Sequence, residues 1–205
     1  MSRHKFLKKD GKTNKRLTYK SIKPILYIIL NAYFFCIIMK ALFIGRFQPF
    51  HKGHLKIIQS LSKEYNEIII GIGSSQYGFT LDNPFTADER KKMIKNTLKQ
   101  NDIKNFKIVL IPDIHNPPKW VDHVLSIISD FDVVITNNSL TKRLFSEKGY
   151  IVKKTLLYNR KRYSGENIRN KIIKKEKWSE LVPEGVYNLI NEVNGEERLR
   201  KLSES

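Results

Sequence analysis

The chain has 205 residues, with 38 Lys and Arg against 20 Asp and Glu, a formal net charge of +18 and 40% hydrophobic residues. That is enough apolar material for one core, while a single cysteine, Cys36, excludes a disulfide framework or a thiolate zinc site. Ten glycines and seven prolines without a recurring period exclude collagen-like and low-complexity classes, and a charge of +18 invites a nucleic-acid or anionic-membrane partner only if it is gathered in one place.

The first 38 residues are a different kind of sequence. They carry nine basic side chains and one acid, Asp10, for a net +8, whereas the remaining 167 residues hold 29 basic and 19 acidic side chains, a net +10. The basic stretch runs into Ile25–Ile38, fourteen mostly apolar residues interrupted by Asn31. A spanning helix needs about 20 such residues, and 10–14 suits a signal-peptide core or a buried element. Three readings compete: a signal anchor, a membrane-surface tail, or an extension created by a start placed upstream of the native one. The third is preferred, because Met39 stands just before the first motif-bearing strand and the Ile/Lys/Asn/Tyr/Phe bias resembles translated A+T-rich DNA. The expected organisation is thus an N-terminal extension, 1–38, disordered or absent from the native protein, and one domain, 39–205.

From Met39 onward, short apolar runs alternate with helical stretches. Strands are predicted at Ala41–Ile44, Glu67–Ile72, Phe106–Ile111, Asp132–Ile135 and Tyr150–Thr155. The β-branched runs Ile68-Ile69-Ile70 and Val133-Val134-Ile135 suit strands buried on both faces. Helices are predicted at about 53–63, 86–100, 119–129, 139–147, 164–176 and 183–193. Thr86-Ala87-Asp88-Glu89 is a capping box, Gly149 stands where a C-terminal glycine belongs, and Pro183 suits a first helical position. Strict alternation in one domain predicts an α/β fold, a Rossmann-like doubly wound parallel five-stranded sheet with C-terminal helices. Ligands of such sheets bind at the carboxyl ends of the strands, where the winding reverses.

The unusual residues sit at those ends. Gly45-Arg46-Phe47-Gln48-Pro49-Phe50-His51-Lys52-Gly53-His54 joins strand one to helix one. Gly45 ends the strand, Gly53 admits close backbone approach, and His51 and His54, three apart at a helix N-terminus, can face one anion. The plainer alternatives are a solvated helix start or half of a metal site; the remaining histidines, His4, His115 and His123, offer no matching ligand spacing, so no metal site is expected. Near the other end of the domain, Ser164-Gly165-Glu166-Asn167-Ile168-Arg169 pairs a good N-cap with free backbone N–H groups and a forked cation.

GRFQPFHKGH, with its His-x-Gly-His, together with this Ser-Gly-x-x-Ile-Arg segment, resembles the nucleotidyltransferase superfamily. The intervening Gly71–Gln76, Asn83–Arg90, a Trp120 seven residues after Asp113, Arg143-Leu144-Phe145, and Trp178 with Leu181-Val182-Pro183 are similar to the archaeal type of nicotinamide-nucleotide adenylyltransferase. The resemblance runs from Met39 to about Leu202. It implies adenylyl transfer from ATP to nicotinamide mononucleotide, giving NAD and pyrophosphate, with Mg²⁺ carried by the ATP, and a cytoplasmic homo-oligomer, commonly a hexamer, with no nucleic-acid or membrane partner.

Carried onto this chain, the resemblance makes His51, His54, Arg46 and Arg169 the catalytic residues. The ATP site would comprise Gly45, Arg46, Phe47, His51, Gly53 and His54 of the first motif, and Ser164, Ile168 and Arg169 of the second. Asn137 and Arg143, after strand four, would complete it. Ser74, Ser75, Gln76 and Asp113 would line the mononucleotide site, with Trp120 stacked on the nicotinamide ring; ordinary core packing is the alternative for Trp120. Two loops depart from the family pattern: Thr136-Asn137-Asn138-Ser139 lacks a usual Gly and Pro, and Ile114–Lys119 shifts an Asn and adds two prolines. Other phosphorylated acceptors (flavin, pantetheine, polyol) therefore stay open, as does a choice between nicotinamide and nicotinate. A non-catalytic basic RNA- or membrane-binding module is the third reading, weakened by lysines spread over several helices rather than gathered in one patch.

Overall fold

The structure, a computed structural model, describes residues 39–155, 158–159 and 161–204. The N-terminal segment 1–38, expected to be an extension, lies outside the described residues. Five strands, β1 (Lys40–Gly45), β2 (Glu67–Gly73), β3 (Phe106–Ile111), β4 (Val133–Ile135) and β5 (Ile151–Lys153), alternate with α1 (Lys52–Glu64), α2 (Ala87–Gln100), α3 (Pro117–Ile127) and α4 (Ser139–Glu147). Helices α5 (Gly165–Ile173), α6 (Glu184–Glu192) and α7 (Gly195–Glu204) follow, with a short 3₁₀ turn at Ser179–Leu181 before α6.

All strand pairs are parallel, in the order β3-β2-β1-β4-β5. The chain winds outward from β1 through β3, then returns to β1's other side, so the winding reverses between β1 and β4. Side chains alternate across the sheet as a period of two requires. Ala41, Phe43, Ile68, Ile70, Ile72, Val133 and Ile135 face a core shared with α1, α2, α5, α6 and α7. Leu42, Ile69, Ile111 and Val134 face a second core with Val121 and Val124 of α3 and Phe145 of α4. This three-layer arrangement explains the apolar continuity of the central strands, which have no solvent face. Each such Val, Leu, Ile or Phe side chain, fully buried, stabilises the fold by about 1.5–3 kcal/mol relative to its exposed state.

Local signals act where they were read. Thr86 accepts from the Glu89 N–H while the Glu89 carboxylate accepts from the Thr86 N–H, and this capping box starts α2. Gly149, just past α4, has φ of +82°, where a Cβ would be strained. Three expectations are corrected. Pro183 is the N-cap of α6 rather than its first residue. Helix α3 begins at Pro117, with Asn116 accepting from the Lys119 N–H as its cap, two residues earlier than the pattern indicated. Helix α7 was not expected at all. Its only strongly apolar residues are Leu199 and Leu202, too sparse to register as a stripe, yet Leu199 is fully buried.

Candidate active site

The two loops that flank the winding reversal open a cleft of about 1140 Å³ at the carboxyl ends of β1 and β4. Its floor is the turn from β1 into α1. Phe47 takes a left-handed backbone (φ 53°) and lies with its ring against the Gly45 Cα, where a Cβ would come within 2.9 Å of the ring. Glycine is therefore required at 45 by the return of the phenyl ring. The Phe47 ring also meets His54 edge-on at 4.8 Å, and Phe50 stacks on His54 at 5.5 Å.

His51 and His54 form a capping box built of two imidazoles. The His54 N–H donates to His51 Nδ1 (3.2 Å) and the His51 N–H donates to His54 Nδ1 (3.3 Å). The rings stack with centroids 3.5 Å apart. Because both Nδ1 atoms accept, each neutral ring carries its proton on Nε2, which leaves Nε2–H as the donor each offers to the cleft. Burial lowers the His51 pKa to about 4, against a smaller opposing backbone hydrogen bond. His54 is also held well below the ordinary value, by burial first and by the neighbouring His51 charge second. Both rings are thus neutral donors at neutral pH in the free protein.

The second motif docks directly on the first. Arg169, 8% exposed, donates from Nη1 to the Gln48 carbonyl (2.9 Å), and a Cβ on Gly165 would fall 2.6 Å from that same oxygen. Gln48 in turn clips the loop before α2, donating from Nε2 to the Phe85 carbonyl and accepting from the Phe85 N–H. Ser164 caps α5 by accepting from the Asn167 N–H. Arg169 Nη2 lies 3.6 Å from Asp82 Oδ1, its carboxylate largely in solvent. Burial, then the nearby Arg46 charge, lowers the Arg169 pKa. Arg46 is exposed and lines the cleft, so two guanidinium groups and two neutral imidazole donors converge there beside the α1 and α5 N-termini. Such a set suits a polyphosphate.

At the other end, Ser74, Asp113 and Trp120 line the cleft. Trp120 is half-buried and meets Phe145 edge-on at 5.7 Å, so one side of its ring is packed while it borders the cavity. Asn137 also lines the cleft, with its amide tied to Thr155 of the loop after β5.

Four expected site residues lie elsewhere. Arg143 turns away from the cleft face of α4, which presents Leu140, Thr141 and Leu144; it pairs with Glu147 at 3.7 Å and borders a separate cleft of about 580 Å³. Ile168 is fully buried in the core, because the fourth residue of α5 points at the sheet. The Ser75 N–H is committed to the Ile111 carbonyl. Gln76 donates to the Asp113 carbonyl (2.7 Å) and accepts from the Asp113 N–H (2.9 Å), so it holds the neighbouring loop.

The structure adds a residue whose role sequence reasoning missed. Arg90 is fully buried, and its guanidinium donates to the carbonyls of Thr86, Arg46, Gly73, Ser74 and Tyr77. Among the described residues no carboxylate hydrogen-bonds to it; burial, then the Arg46 charge, lowers its pKa to about 10, which leaves it protonated at neutral pH. It fastens the loops after β1 and β2 to α2. The signal was present: Arg90 falls on the buried stripe of α2 with Met93, Ile94 and Thr97, a position where a charge needs a purpose. Among the described residues, no group of three His, Cys, Asp or Glu side chains is placed to hold a metal ion. No described helix is long and apolar enough to cross a membrane.

Residues 42–171 match the cytidylyltransferase-like family. A nicotinamide-nucleotide adenylyltransferase of Methanococcus aeolicus is 52% identical over 167 residues, covering 80% of this chain and 95% of that protein. One of Picrophilus torridus is 48% identical, covering 82% and 99%. The fold matches that of a bifunctional NMN adenylyltransferase/ADP ribose pyrophosphatase of Francisella tularensis, solved with AMP and a manganese ion. The TM-score is 0.68 at 25% identity, over 81% of this chain. This chain spans about half the length of that bifunctional protein, 52%.

Proposed function

Because the chain belongs to the cytidylyltransferase-like nucleotidyltransferases and, among them, to the nicotinamide-nucleotide adenylyltransferases, we propose that it transfers the adenylyl group of ATP to nicotinamide mononucleotide, giving NAD and pyrophosphate. The observation that carries this reading is the docking of Arg169 and Gly165 onto Gln48, which joins the two polyphosphate-facing motifs into one surface opposite Trp120.

The chemistry needs no covalent intermediate. A phosphate oxygen of the mononucleotide, already anionic, attacks the α-phosphorus of ATP; a new P–O bond forms as the bond to the β-phosphate bridging oxygen breaks, and pyrophosphate carries away the electron pair. No proton has to be abstracted, so the protein's part is alignment and charge neutralisation. His51 and His54 offer Nε2–H donors to the α- and β-phosphates. Arg46 and Arg169 offset the charge that grows on the leaving pyrophosphate, with the exposed N–H groups at the start of α5 beside them. Trp120 provides a ring face for the nicotinamide, and Asp113 borders the same end.

Divalent-metal use is supported by the manganese ion in the Francisella structure, and we assign the ion here as Mg²⁺ arriving with ATP as part of the substrate. The donor set agrees: Asp82 faces Arg169 and Asp113 accepts from the His115 N–H, so these cleft carboxylates are already engaged. Such an ion takes phosphate oxygens and waters rather than a protein cage.

The test is a pyrophosphate-release assay of the full chain with ATP and a panel of acceptors: nicotinamide and nicotinate mononucleotides, flavin mononucleotide and phosphopantetheine. Turnover of the pyridine mononucleotides and neither of the others is expected; turnover of only flavin or pantetheine phosphates would overturn the acceptor. Light scattering of the same sample reads the homo-oligomer that the resemblance implies.

A further inference from the structure

The wall of the cleft next to Trp120 consists of two loops, one after β2 and one after β3. They are joined by more than proximity. The parallel pairing of β2 and β3 ends at Gly73 opposite Ile111, but hydrogen bonding continues past it. The Ser75 N–H donates to the Ile111 carbonyl, and the Gln76 side-chain amide then donates to the Asp113 carbonyl and accepts from the Asp113 N–H. A side chain there replaces a peptide group of the next strand residue. One further link follows, a hydrogen bond between the Tyr77 hydroxyl and His115 Nε2.

The two ends of that last link differ. Tyr77 does not border the cleft, and its backbone is pinned from behind: its carbonyl accepts from Arg90, the buried guanidinium that also holds Gly73 and Ser74. His115 does border the cleft. It adopts a left-handed backbone, φ 49°, which costs a non-glycine residue free energy and persists only where its surroundings fix it. Two contacts fix it: its N–H donates to Asp113 Oδ1 (2.9 Å), and its ring meets Tyr77. The next residue, Asn116, caps α3, the helix that carries Trp120. The turn at His115 therefore sets where α3 begins.

We propose that Tyr77 is a positioning residue for the acceptor mononucleotide, acting through His115 to hold the β3–α3 turn and the start of the Trp120 helix in the shape that receives the nicotinamide end. The proposal rests on the adenylyltransferase reading and deepens it. It concerns one substrate of the two, because the polyphosphate contacts come from β1, α1 and α5, which the link does not touch.

The test uses the full chain and steady-state rates with each substrate varied in turn. Tyr77→Phe keeps the ring and removes the hydroxyl; the KM for nicotinamide mononucleotide rises about fivefold, as loss of one hydrogen bond implies, while the KM for ATP and kcat stay as in the wild type. His115→Asn, which tolerates the left-handed turn but is too short to reach Tyr77, gives the same selective rise. His115→Gln, long enough to meet the hydroxyl, restores most of it. In the double variant Tyr77→Phe/His115→Asn the two effects do not add, because they remove one interaction. Tryptophan fluorescence during titration with the mononucleotide reports the same weakening without catalysis. A rise in both KM values together, additive effects, or wild-type constants in Tyr77→Phe overturns the proposal while leaving the reaction in place. A wild type that uses other acceptors but not the pyridine mononucleotides overturns the reaction first, and the proposal with it.

Discussion

His51 caps α1 and, in the proposed reaction, donates to phosphate, so the two roles share one protonation state. Its Nδ1 must stay unprotonated to accept from the His54 N–H. Its pKa falls from the ordinary 6.5 to about 4 on folding, so the unfolded chain binds the proton more readily. Stability from this group is complete above about pH 6.5, declines as the pH falls, and is lost below about 4, a change on the order of 3 kcal/mol. Urea unfolding at a series of pH values checks this, and His51→Asn, whose carbonyl can still accept as a cap, should flatten the decline. Asp82 is a charge in the opposite position: its carboxylate faces Arg169, the cation that the proposed reaction gives to the triphosphate. Asp82→Asn is expected to lower the KM for ATP by about threefold, the size of an exposed ion pair; a rise instead would show that the carboxylate helps hold the nucleotide's metal. Arg90→Met would take the guanidinium from five carbonyls, of which those of Thr86 and Ser74 keep a backbone N–H donor, and lower unfolding stability by on the order of 4 kcal/mol, measured with urea. The histidines were legible because their spacing sets both imidazoles at one helix start, where unpaired N–H groups already favour an anion. The stripe position of Arg90 was visible but its partners were not, nor were those of Gln48 and Tyr77: Arg90 and Gln48 act on backbone groups, and Tyr77 on the His115 ring, that long crossovers bring near, and no local pattern records such a partner.

Among the elements, the strands were easiest to read, since burial on both faces leaves β-branched runs that resemble nothing else. Helix α7 was the hardest, because it is held mainly by polar contacts. Arg198 donates to both oxygens of Glu89 (2.8 and 2.9 Å) and to the carbonyls of Pro84 and Val193, with its guanidinium 4.5 Å from the Phe79 ring. Glu89 is the same carboxylate that closes the capping box of α2. The last helix is thereby fastened to the loop that carries Asp82. Arg198→Gln leaves a partly buried carboxylate without its cation and is expected to cost about 3 kcal/mol of unfolding stability, which a shift in the urea midpoint would show. A charged sequence with two leucines gives no hint of such a contact, because the helix is specified by what it meets 109 residues earlier.

At the scale of the whole molecule, the +18 net charge separates into parts with different meanings. Residues 1–38 contribute +8, and the described lining of the cleft runs from Phe43 to Ile173. We propose that a chain beginning at Met39 keeps the kcat and both KM values of the full chain; a fall of tenfold or more in either would show that the N-terminal segment contributes to the site. The other basic residues include Arg46 and Arg169 in the cleft, whereas several pair locally with acids, as Lys201 does with Glu197 and Lys171 with Glu176.

Gln48 has a consequence in time as well as in space. Its carbonyl receives Arg169 from 121 residues away, and its side chain clips Phe85. Contacts of such separation close late, since their loop entropy is met only after nearer pairings have formed. A chain leaving the ribosome can therefore assemble the sheet and the paired imidazoles before the two motifs are joined into the proposed triphosphate site. Regain of activity during refolding should track the slowest phase, well after most of the secondary structure has returned.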